Sequence, residues 1–130
     1  MRFAKIVFWC AAVWGFLALT PLYFLFDTIG RQNPPAITHP DFYYGFVGVA
    51  LAWQVAFLVI ATDPERYRWM MLPAVLEKLS YAGALLVLYL ERRLNPQQLL
   101  FGAPDLLLGV LFVAAFVRTG EVSSKAAAAP

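Results

Sequence analysis

D-P-E-R-Y-R-W-M-M-L-P-A-V-L-E-K-L-S-Y-A-G-A-L-L-V-L-Y-L-E-R-R, residues 63–93, decides the fold. Asp63 as an N-cap with Pro64 at the first helical position is the grammar of a helix start, and Thr62 with Glu65 offers an alternative capping box. Pro73 cannot donate to the carbonyl of Trp69, so Pro64–Leu72 reads as a segment lying along a membrane interface and Ala74–Arg92 as the crossing. Glu91-Arg92-Arg93 closes the stretch on charges. Inside it stand Glu77 and Lys78, side by side. At mid-membrane each would cost ~2.5–3.5 kcal/mol on insertion scales, so the pair is the first place to look for function.

Composition explains why lipid is the expected solvent. Hydrophobic residues make up 62% of the 130 and charged residues 14%, against ~45–50% and ~25% in soluble domains. A chain this short has too large a surface for its volume to hide that much apolar area from water. The net charge of +2 is too small and scattered for nucleic-acid binding. The lone cysteine, Cys10, excludes an intrachain disulfide and reads as a small apolar residue, buried or facing lipid.

Three further apolar runs flank the first. Ile6–Phe26 follows the basic start Met1-Arg2-Phe3-Ala4-Lys5; at 21 residues, with no clear A-x-A cleavage site, it reads as a span and not a signal peptide. Pro21 should bend its last turns by removing the bond to Leu17. Asp27 to Pro40 is the long loop. Phe42–Ala61 enters through three aromatics, as a helix at the headgroup level would, and carries the small residues Gly48, Ala52 and Ala56 at four-residue spacing. Asn95-Pro96-Gln97-Gln98 repeats the helix-start grammar ahead of Leu99–Val117, a run interrupted by Gly102-Ala103-Pro104-Asp105. Thr119 to Pro130 reads as a disordered tail. The expected fold is all-α: a membrane-spanning antiparallel four-helix bundle with helices over 4–26, 41–61, 64–92 and 96–118, and a tail over 119–130.

Arg2, Lys5, Arg66, Arg68, Arg118 and Lys125 would lie on one side, Arg31, Arg92 and Arg93 on the other. The positive-inside rule then puts both termini in the cytoplasm.

No G-x-S-x-G, phosphate-cradling glycine loop or metal-ligand spacing is present, so no catalytic residue, cofactor or metal site is expected from motifs. The candidate ligand-binding residues are Trp53, Gln54, Glu77, Lys78, Tyr81 and Asp105. Adjacent on a helix, Glu77 and Lys78 point ~100° apart and should not share one partner; Glu77 shares its face with Pro73, Ser80 and Tyr81. They either line a polar pocket or, if the span starts at Ala74, sit in its first turn, where Lys78 snorkels and Glu77 suits the helix dipole. Gln54 lies at nearly the depth of Glu77: Trp53 and Gln54 could hydrogen-bond to it across the helices, or Gln54 serves only as interhelical glue of ~0.6 kcal/mol. Asp105, just after a proline break, occupies a new helix N-terminus of the kind that builds transporter sites, with Thr20, Tyr81, Gly83 and Ala84 as expected neighbours; alternatively it only fixes the kink. His39 and Asp41 mark the outer mouth.

H-P-x-F-Y-Y-G-F-V-G at 39–48, W-Q at 53–54, D-P-E-R-Y-R at 63–68, L-E-K-L-S at 76–80 and D-L-L-L-G-V-L-F at 105–112 together resemble small bacterial membrane proteins, in general layout the DoxX-like four-helix group. The resemblance implies a four-span protein of the bacterial inner membrane and supplies no activity. Three functions are open: a non-enzymatic membrane subunit or hydrophobic-ligand binder, associating with lipids, a second copy or a partner subunit through Gly48, Ala52 and Ala56; an enzyme on a quinone- or isoprenoid-like substrate; and a proton-linked transporter, the last two using Glu77 or Asp105.

Overall fold

A computed structural model describes the backbone of residues 1–127 and the side chains through Glu121. Among these residues every regular element is helical: α1 (Arg2–Leu19), a 3-10 turn (Thr20–Phe24), α2 (Phe26–Gln32), α3 (Pro40–Thr62), a 3-10 turn (Arg68–Met70), α4 (Met71–Leu90), α5 (Pro96–Leu100) and α6 (Ala103–Ala127). Four stretches are long and apolar enough to cross a membrane: Arg2–Phe24, Pro40–Thr62, Arg68–Leu90 and Pro96–Glu121. The expected antiparallel bundle is thus the observed one.

Local chemistry sets the boundaries. Pro21 has no N–H for a regular α turn, and the chain tightens there into the 3-10 turn. Asp63 caps a short turn through its Oδ1 and the N–H of Arg66 (3.2 Å), ahead of the long helix. Thr62 donates back to the carbonyl of Val59 (2.6 Å) and takes no part in a capping box. Pro73 falls in the first turn of α4, where its missing N–H would have had no intrahelical partner anyway. The helix therefore starts at Met71, ahead of the expected Ala74. The Asn95 capping box forms with both of its bonds, Gln98 N–H to Asn95 Oδ1 (2.8 Å) and Asn95 N–H to Gln98 Oε1 (3.0 Å). At the far end α6 runs on to Ala127, through most of the segment expected to be a disordered tail, because Ser, Lys and Ala offer no breaker before Pro130; residues 128–130 lie outside the described residues.

The bundle consists of two helical hairpins. α1 packs on α3, with Ala4, Val7, Ala11, Ala12 and Gly15 receiving Val47, Ala50, Gln54, Phe57 and Ile60. α4 packs on α6. The hairpins join through α1 and α6, whereas α3 and α4 barely touch. The joint is a ring cluster near the end that holds the N-terminus. Phe8 stacks on Phe112 at 4.3 Å, and Phe57 meets Phe112 edge-on at 5.0 Å, all three fully buried. Toward the opposite end the outer half of α4 buries nothing fully, and Gly83 and Leu86–Val87 lie exposed.

Candidate functional site

Where the two hairpins part, three ionisable side chains meet. Lys78, its side chain only 8% exposed, places Nζ 2.7 Å from Asp105 Oδ1 and 3.2 Å from Glu77 Oε2. Depth follows from the spans. Arg68–Leu90 has its midpoint at Leu79, so the cluster sits near mid-membrane. The first-turn, snorkelling placement of Glu77 and Lys78 does not hold, because the span begins before Ala74.

Each helix contributes for a local reason. On α6, Gly109 lets α4 come close: a Cβ there would lie 3.6 Å from Lys78 Cβ and 3.1 Å from Leu79 Cδ2. One turn before Gly109, Asp105 occupies the first turn of α6, where unpaired N–H groups favour a carboxylate. The break that creates this helix start packs as well, since Gly102 is buried against Leu85 and Ala82. The Lys78 ammonium also lies 5.3 Å from the centroid of the Phe57 ring on α3, so one lysine touches three helices. Among the described residues Glu77 and Lys78 share no third partner, but the long lysine side chain bends back to Glu77, so the neighbours pair with each other.

The cluster is unevenly satisfied. Asp105 is paired at 2.7 Å, whereas Glu77 receives only a long bond from Lys78 to Oε1 (3.5 Å), and its buried Oε2 has no donor. One ammonium faces two carboxyl groups. Tyr81, one turn beyond Glu77, stacks on Phe46 of α3 at 6.0 Å across the gap between the hairpins. Trp53, two turns from Phe46 on the same face of α3, is half-buried with its ring 6.1 Å from Phe57. Phe46 and Tyr81 thus meet across the gap between α3 and α4, with Glu77 one turn before Tyr81 and Trp53 two turns after Phe46.

Of the six candidates, Glu77, Lys78 and Asp105 meet in the ion cluster, and Tyr81 and Trp53 adjoin it, Tyr81 one turn beyond Glu77 and Trp53 against the Phe57 ring that the Lys78 ammonium approaches. Gln54 does not. It faces α1, is fully buried, donates from Nε2 to the carbonyl of Ala50 (2.8 Å), and packs its amide against Gly15, where any Cβ would collide with it. Its Oε1 finds no donor, and no bond to Glu77 forms. Among Asp105's expected neighbours Tyr81 is in range, whereas Thr20 lies in the 3-10 turn of the other hairpin. The small-residue stripe is not the face by which α3 packs within the chain. Ala52 is exposed and Gly48 meets only Tyr23, while α3 packs through Val47, Ala50, Gln54, Phe57 and Ile60. Phe46, Phe57 and Gly15 were missed; Ala4, Ala11, Ala12 and Gly15 on one face of α1 were the readable sign of the close contact with α3.

Other polar features are accounted for nearby. His39 is exposed, its Nδ1 2.9 Å from Thr38 Oγ1. Arg68 lies across α6, donating to the Phe116 carbonyl (3.0 Å) with its guanidinium 3.9 Å from that ring. A shallow hollow of about 440 Å³ on the outer face of α1 is lined by Trp9, Cys10, Val13, Trp14 and Leu17, none of them on the elements that carry the ion cluster. No group of His, Cys, Asp and Glu among the described residues could hold a metal ion. No family model, curated protein or solved structure matches the chain.

Proposed function

We propose that the protein is a non-enzymatic, membrane-embedded binder of a hydrophobic molecule, housed in the groove between α3 and α4, in a bacterial inner membrane with both termini cytoplasmic. The observation that carries this reading is the Glu77–Lys78–Asp105 cluster near mid-span, with the Phe46–Tyr81 stack beside it in the gap between α3 and α4. A buried ion cluster gives no more stability than apolar residues of the same volume would, so its presence at this depth calls for a recognition role. The apolar groove would take the body of the ligand, and the cluster its polar end.

Native mass spectrometry of the detergent-extracted protein tests this. One retained hydrophobic adduct per chain is expected, lost when Trp53 and Tyr81 are both replaced by alanine. A chain that emerges bare, or an adduct indifferent to that double variant, overturns the proposal. The orientation is checked separately by labelling single cysteines at the two ends in sealed inverted vesicles.

A further inference from the structure

Building on the groove reading, we infer that the polar end of the ligand is an organic cation, with Glu77 as its counter-ion. Three independent features converge. First, the cluster sets two carboxyl groups against one ammonium: Lys78 is 2.7 Å from Asp105 and reaches Glu77 only at 3.2 Å to Oε2 and 3.5 Å to Oε1. In a low-dielectric interior an uncompensated carboxylate is a strong attractor for a cation. Second, the two carboxyl side chains keep 19% (Glu77) and 21% (Asp105) exposure, unlike the sealed ammonium at 8%, and Glu77 is the more weakly bonded, with only a 3.5 Å bond from Lys78 to Oε1 and no donor to the buried Oε2. The groups of the cluster that can be approached are therefore acceptors. Third, the walls are π faces: Tyr81 and Phe46 stack across the gap and Trp53 stands on the same face of α3 as Phe46. Aromatic faces attract cations and are neutral or repulsive toward anions, and Lys78 over Phe57 already shows the arrangement inside the protein.

The geometry disfavours an anionic headgroup. Such a group would need the Lys78 ammonium, which is closed off by Asp105, Glu77 and Phe57. A hydrophobic cation entering sideways from the bilayer would lay its apolar groups on Phe46, Trp53 and Tyr81. Its charge would come to rest beside Glu77, completing a neutral site.

The probes are tetraphenylphosphonium and its isosteric anion tetraphenylborate, measured by equilibrium dialysis on the detergent-solubilised full chain. Saturable phosphonium binding, tighter than that of the borate by at least about tenfold and reduced at least about tenfold in Glu77→Gln but retained in Glu77→Asp, is the expected result. Borate binding equal to or tighter than that of the phosphonium, and lost in the Trp53/Tyr81 alanine pair, would overturn the cation assignment and leave the groove standing. Binding of neither ion overturns both. Equal phosphonium binding by wild type and Glu77→Gln removes Glu77 as the counter-ion. The wild-type comparison of the two ions decides the sign of the site even if a Glu77 variant fails to fold.

Discussion

At the end holding the N-terminus, Phe8, Phe57 and Phe112 interlock, Met71 and Ala74 are fully buried, and Arg68 bonds the backbone of α6. At the opposite end each hairpin is closed on itself. Tyr43 donates to the Leu22 carbonyl (2.6 Å) and stacks edge-on against Phe26 in the first, while Gly102 receives Leu85 in the second, and Phe46 meets Tyr81 between them. The difference teaches where a membrane protein of this size spends its packing. With lipid outside, burial of apolar area gives helices little reason to associate, so close fit does the holding, and it has been concentrated at one end. The other end has few contacts between the hairpins, and the ion cluster lies where the two regimes meet.

The comparison breaks first if the closed end is not what holds the bundle. Phe112→Ala removes a fully buried ring from the joint and should cost ~3–5 kcal/mol, the range for Phe→Ala in cores. Leu86→Ala, at an exposed site in the open half, should change stability by less than about 0.5 kcal/mol. Unfolding by SDS titration from mixed micelles reads both; equal costs would erase the distinction between the ends. Next, Lys78→Met leaves Glu77 and Asp105 without their ammonium. It should destabilise by about 3 kcal/mol, the low end for a broken buried pair, because one carboxyl group recovers part of the cost by taking up a proton. Adding Glu77→Gln and Asp105→Asn to it should restore most of the loss. A Lys78→Met variant as stable as wild type would show that the cluster is solvated and not buried.

How much of this was legible depended on the range of the interaction. The four spans announced themselves because each is a long apolar run between breakers, and the Asn95 box because its partners are three residues apart. The pairing of Lys78 with Asp105 was not legible, for two physical reasons. Pro73 sits harmlessly in a first turn instead of breaking the helix, which shifts the start of the span and moves Lys78 from the headgroups to mid-membrane. The relative rotation of α4 and α6 is set by Gly109 meeting Leu79, a fit that no local pattern encodes. Gln54 was seen as polar and deep, but its partner is a space, the missing side chain of Gly15, and a space becomes visible only once two helices are placed together.

That space gives the third test. Gly15→Val drives a Cβ into the Gln54 amide, so α1 and α3 must separate or Gln54 must turn out, at ~1–3 kcal/mol as for overpacked cores. Gly83 lies in the open half with nothing within 4 Å of where its Cβ would be, and Gly83→Ala should instead stabilise by ~0.5–1 kcal/mol through helix propensity. Opposite signs for two glycines on spanning helices would sharpen the contrast between the tight seam of the first hairpin and the exposed outer half of α4. The same sign would mean that the two are packed alike.

The smallest expected effect lies at the very tip of the open end. α4 stops in a Schellman turn: the N–H of Arg93 bonds the Leu88 carbonyl and that of Arg92 the Tyr89 carbonyl, each at 2.9 Å. The turn requires a left-handed residue, and the position is held by Arg92 at φ 60°, where a Cβ crowds the following carbonyl. The bonds that satisfy the last carbonyls of α4 are made by the backbone and survive any substitution there, and the arginine side chain is exposed. Arg92→Gly should therefore stabilise the hairpin by about 0.5–1 kcal/mol, the relief of a non-glycine residue in this conformation, after a small loss of the favourable charge at a helix C-terminus. Because α4 and α6 close on each other at this end without help from the first hairpin, the gain should show as slower amide exchange in residues 88–93 and leave exchange in α1 and α3 unchanged. A gain spread evenly over all four spans would mean that the open end is coupled to the closed one after all.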